Sequence, residues 1–153
     1  MRIELSYDRL GSRLRTIGAV KIDYDRLGSR ASRVGTWPCD YDMLGSRLRR
    51  VGPYELSYDR LGSRIASVGP WPCEYDMLGA RLRRIGPYEL TSDHLGSRVR
   101  TIGHLALEYD RLGSRACAVH LPPEVPGLSA HDVFVIFLVH HVVEQARQRA
   151  ARS

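Results

Sequence analysis

The chain has 153 residues, 43% of them hydrophobic and 26% charged, with a net charge of +6 carried by arginine apart from Lys21. That size suits one domain, and the arginine excess keeps nucleic acid or another polyanion open as a partner. No stretch reaches the roughly 20 apolar residues of a membrane span, and the N-terminus lacks a leader's apolar core. Cys39, Cys73 and Cys117 have no metal-ligand spacing and predict reduced thiols in a cytoplasmic protein.

From the first residue the chain is periodic. "YDRLGSR" occupies residues 7 to 13, and near-copies begin at 24, 41, 58, 75, 92 and 109, an interval of 17. With each unit numbered 1 to 17, position 8 is always Asp, 10 Leu, 11 Gly and 13 Arg, while position 17 is Ile or Val. Position 1 is Gly from Gly18 to Gly103. Such repeats are structural units that bury a core only by sharing it.

Within a unit, positions 3, 5 and 7 are mostly apolar (Ile3, Leu5, Tyr7; Val20, Ile22, Tyr24) and positions 4, 6 and 8 mostly polar. A period of two is that of a half-buried strand. Asp8-Arg9-Leu10-Gly11 has the residues of a type I turn with a following left-handed Gly, and Ile17-Gly18-Ala19-Val20 those of a type II′ turn. Both reverse the chain, and no segment between them is long enough for a helix. Residues 1–119 are therefore predicted to form an all-β repeat: an open, curled antiparallel meander of seven 17-residue hairpins. A β-solenoid with 17 residues per coil is the alternative, disfavoured because it stacks identical charges at about 4.8 Å.

The turns predict a register in which 7 faces 13, 5 faces 15 and 3 faces 17, with 17 facing position 3 of the next unit. One face then carries positions 3, 5, 7, 13, 15 and 17 without a break in parity. With no accumulated stagger, barrel closure is not expected. On the apolar face Tyr and Arg alternate along one row: Tyr7, Arg13, Tyr24, Arg30, Tyr41, Arg47, Tyr58, Arg64, Tyr75, Arg81, then Arg98, Tyr109 and Arg115. Each guanidinium is predicted to lie between rings. Ser92 replaces one Tyr and is expected to deprive Arg81 and Arg98 of a ring.

A 34-residue super-repeat brings Trp37 and Trp71, Pro38 and Pro72, and Met43 and Met77 together in alternate units. The Trp and Met side chains, with Phe134 and Phe137, form a candidate interaction surface, although core filling is the commoner use of such residues. Residues 120–129 are a proline-rich linker. Residues 130–153 are predicted to hold a helix, its apolar run uniform on all sides and so in need of the sheet or a partner to cover it.

Histidines His104 and His120 lack accompanying ligands, and "SDH" at 92–94 puts consecutive strand residues on opposite faces. No phosphate loop, dinucleotide fingerprint or nucleophile elbow is present. The expectation is a protein without catalytic residues, cofactor or metal.

The unit "YDRLGSRL" resembles the YD repeat of the RHS family, with its Tyr-Asp-x-x-Gly-Arg-Leu signature. The resemblance spans residues 1–119 and implies an antiparallel β strip. The family's enclosing shells are not implied, because a serine or alanine here separates Gly from Arg and seven units are too few. The function expected is a structural or protein-interaction scaffold, with self-association through the outer strands at 2–7 and 114–119. Arginine-mediated nucleic-acid or polyanion binding is the alternative.

Overall fold

The computed structural model describes the chain except residues 9–12, 26–29, 43–46, 61–63, 77–80, 94–97, 111–114 and 153, and the side chain of Arg152. Among the described residues there are fourteen strands and one helix. The first seven strands are β1 (Arg2–Tyr7), β2 (Leu14–Ile17), β3 (Val20–Tyr24), β4 (Ala31–Val34), β5 (Trp37–Tyr41), β6 (Leu48–Val51) and β7 (Tyr54–Tyr58). The other seven are β8 (Ile65–Val68), β9 (Trp71–Tyr75), β10 (Leu82–Ile85), β11 (Tyr88–Ser92), β12 (Val99–Ile102), β13 (Leu105–Tyr109) and β14 (Ala116–His120). The helix α1 (Ala130–Arg152) ends the chain.

Strands consecutive in the chain pair antiparallel throughout, which excludes the solenoid. The meander is nevertheless not open. β14 pairs with β1 and closes a barrel, with Ile3 opposite Val119. The strands expected to be free edges are paired with each other.

The parity rule fails at one place in each unit, and that failure closes the barrel. Tyr7 lies opposite Leu14 but Ser6 opposite Thr16, so Arg15 is an extra residue, a β-bulge. Leu5 then faces Ile17, not Arg15, and Ile17 faces Val20 of the next unit. Each hairpin thus advances the register by two residues, and seven of them by fourteen. Fourteen strands with a shear of fourteen give a strand tilt of roughly 35° and a backbone radius of about 13 Å. The closing pair Ile3 and Val119 repeats the 17-to-3 pairing of the internal junctions.

The bulge also changes which side chains face in. Positions 14 and 17 point to the interior while 15 and 16 both point out, as in Leu14-Arg15-Thr16-Ile17, buried at its ends only. The core is built from positions 3, 5, 14 and 17, among them Leu5, Leu14, Ile17, Leu48 and Ile85. Position 13 lies just before its strand.

The junction turns need glycine. Gly18, Gly35, Gly52, Gly69, Gly86 and Gly103 have φ between 54° and 60°, and no other residue type has a positive φ among the described residues. At Gly52 a Cβ would lie 2.4 Å from Trp37 Cγ, so closeness and conformation both exclude a side chain there. The type I turn predicted at residues 8–11 lies largely outside the described residues.

α1 occupies the barrel. Its residues Asp132 to Val139 are buried on every side, with Phe134, Val135 and Leu138 fully enclosed. The apolar run has found its cover within the same chain, because only a lumen lined all round by apolar side chains matches a helix with no polar face.

Candidate functional site

Three groups of side chains gather chemistry: a ladder around one rim of the barrel, a cluster where α1 enters, and the charged outer wall.

The ladder answers a gap in the sheet. Between units only positions 16 and 17 pair with the next unit's 4 and 3, so the carbonyl at position 14 has no strand partner. The next unit's Tyr hydroxyl donates to it: Tyr24 to Leu14, Tyr41 to Ala31, Tyr58 to Leu48, Tyr75 to Ile65 and Tyr109 to Val99, at 2.7–2.9 Å. Tyr7 does the same across the closure, to Ala116 at 2.7 Å. Burial pushes the Tyr24, Tyr58 and Tyr75 phenols up to about 12, so they stay neutral donors.

Five of the ladder arginines are each held by two contacts. Arg13, Arg30, Arg47, Arg64 and Arg98 lie 4.5–4.8 Å over the rings of Tyr24, Tyr41, Tyr58, Tyr75 and Tyr109. Their Nε groups, and that of Arg81, donate to the Asp of their own unit at 2.6–3.1 Å. Arg98 therefore has a ring, contrary to expectation, because each guanidinium leans toward the following unit. Ser92 affects Arg81 alone, which keeps its pair with Asp76 at 3.0 Å. Arg115 departs from the pattern: its Nε bonds Glu144 of α1 at 2.9 Å, joining the rim to the helix.

At the opposite mouth, Ser129 and Asp132 form a capping box, Asp132 N–H donating to Ser129 Oγ and Ser129 N–H to Asp132 Oδ2. Tyr88 donates to Asp132 Oδ1 at 2.7 Å, and His104 Nε2 is 3.3 Å from Oδ2. Burial works against the Asp132 charge, but these donors outweigh it and lower its pKa. Tyr54 stacks on Phe134 with centroids 3.9 Å apart, and its hydroxyl lies 2.5 Å from His131 Nδ1. Trp71 lies against His131 as well. The cluster seats the start of α1. In the sequence the spacing Ser129-x-x-Asp132 signals a helix cap, while nothing marks Tyr54, Tyr88 and His104 as its partners.

The remaining expected surface residues are placed as follows. Phe134 and Phe137 are core, at 0% and 2% exposure. Trp37 and Trp71 are half-buried at the α1 entrance, and Met43 and Met77 lie outside the described residues. His104 and His120 do not converge, since His120 pairs with Glu108 on the outer wall at 2.6 Å. Arg2 and His120 together hold the Glu108 carboxyl down at about 2.

A cavity of about 50 Å³ lies between α1 and the wall near Tyr7 and His140. A groove of about 300 Å³ at the ladder rim is lined by Asp93, Arg98, Arg100, Leu107, Tyr109 and Asp110. It is polar and shallow, unlike the apolar clefts that enclose small ligands.

The structure thus defines a closed, fourteen-stranded barrel wrapped around its own C-terminal helix. No protein-family model matches the chain, and no curated protein matches it. No helix among the described residues is long and apolar enough to cross a membrane.

Proposed function

We propose that the protein is a non-enzymatic scaffold that binds a protein partner through its outer surface. The observation that carries this reading is the filled lumen: barrels of this kind hold ligands inside, and here Phe134, Val135 and Leu138 of α1 take that space. What is left to act is a wall held rigid by six Asp-Arg pairs and five Arg-Tyr contacts. The unpaired thiols Cys39, Cys73 and Cys117 support a cytoplasmic setting.

The test is affinity capture with quantitative mass spectrometry, comparing the wild type with variants whose outward side chains are neutralised and whose melting temperature is unchanged. Loss of the same partners from the wall variants is expected. Retention of every partner overturns the reading. Arginine-mediated polyanion binding is the second reading, favoured by outward arginines that form no ion pair with a described residue.

A further inference from the structure

We propose that the outer wall is a binding surface for single-stranded nucleic acid, recognised through its phosphate backbone without regard to base sequence. The inference rests on the polyanion reading and assigns it a site, a partner and a mode.

The bulge divides the wall into two bands. In two units the position-16 arginine lies in register with carboxylates on both sides. Arg50 stands between Asp40 and Glu55, and Arg84 between Glu74 and Glu89. Those charges are satisfied locally, with Arg50 2.6 Å and Arg84 2.7 Å from Glu55 and Glu89. Position 15 is the bulged residue and has no cross-strand neighbour to supply a carboxylate. Its arginines are Arg15, Arg49, Arg83 and Arg100, and Arg33 joins them from position 16, where Asp23 pairs with Lys21 instead. All five are exposed, and none forms an ion pair with a described residue.

Their placement selects the partner. Arg15, Arg33 and Arg49 stand on β2, β4 and β6, alternate strands of one arc, so with the stagger included Arg15 and Arg33 are roughly 10 Å apart and Arg33 and Arg49 roughly 14 Å. Arg83 and Arg100 make a second pair on β10 and β12. The wall is convex, with a backbone radius of about 13 Å. A rigid duplex or a flat acidic protein meets a convex wall along a line and reaches one or two of these groups. A flexible strand follows the arc and reaches three or more. Guanidinium groups suit phosphate because their fork matches it in geometry.

The mode follows from what the wall lacks. The tryptophans and most tyrosines sit on inward positions, and Met1 is the only exposed large hydrophobic among the described residues. Base stacking, which supplies affinity and preference in most single-strand binders, has no platform here. Phosphate contact alone is left, and it is strongly salt-dependent.

The experiment is fluorescence anisotropy of the full chain with labelled oligo-dT, oligo-dA and a duplex, titrated from about 25 to 200 mM salt. Equal affinity for dT and dA, weaker binding to duplex, and a slope of log K against log salt of about −2 to −3.5 are expected for three to five phosphates. Changing Arg15, Arg33, Arg49, Arg83 and Arg100 together to Gln is expected to weaken binding at least tenfold with an unchanged melting temperature. If that variant does not fold, the triple R15Q/R33Q/R49Q and the double R83Q/R100Q are each expected to weaken it severalfold. Variants that bind like wild type overturn the proposal, as does equal binding to duplex. Equal binding to poly-glutamate overturns it too but leaves the polyanion reading standing. No salt-dependent binding to any of these polymers removes both.

Discussion

At Gly52 two constraints fall on one residue: a φ of 54° and the Trp37 ring where a Cβ would lie. Gly69 has a φ of 55° but open space around it. Gly69→Ala is expected to cost about 1 kcal/mol from the left-handed backbone alone. Gly52→Ala is expected to cost about 2–4 kcal/mol, since the clash with Trp37 adds to it. Urea denaturation of the two variants measures the difference, and equal costs would show that the tryptophan yields freely. The ladder makes a second prediction at this scale. Tyr75→Phe leaves the Ile65 carbonyl without its donor and is expected to cost about 1–2 kcal/mol, read from the same denaturation curves.

Among the elements, α1 carries the largest burden. Its apolar stretch has no polar face, and no other segment among the described residues fills the lumen, so each supplies the other's solvent-excluded surface. Phe134→Ala, which also removes the stack on Tyr54, is expected to cost about 3–5 kcal/mol. The same helix sets an acid response. Burial lowers His140 and His141 to about 4 from their ordinary 6.5, with Glu144 opposing this at His140 and Arg115, Arg147 and Arg149 nearby. The unfolded chain therefore binds more protons than the folded one between those values. Stability is full above pH 6.5 and falls as pH drops toward 4, by on the order of a few kcal/mol in all. Denaturation midpoints measured from pH 7 to pH 4 should decline over that window, and H140Q/H141Q should flatten the decline.

For the whole molecule, closure removes the free edges that invite sheet-to-sheet pairing. The protein is expected to sediment as a monomer of 17.3 kDa over a wide concentration range. Deleting residues 1–7 takes away β1, leaves β14 and β2 each with one free edge, and is expected to produce concentration-dependent assembly in sedimentation velocity runs. A truncated chain that stays monomeric would mean that the barrel can close without β1.

The antiparallel hairpins, the glycine junctions and the C-terminal helix were all legible in the sequence, because turn chemistry and side-chain period act over a few residues. The Tyr and Arg spacing was legible too, but their task was not: the hydroxyl reaches a carbonyl of the preceding unit that is orphaned only once the bulge exists. A bulge is one residue of slack in an otherwise periodic strand, and Leu14-Arg15-Thr16-Ile17 reads equally well with or without it. That slack is worth two residues of stagger per hairpin, so the choice between open strip and closed barrel was made by tertiary structure. It also decided which arginines have carboxylate neighbours, and where a helix that is apolar on every side finds its cover.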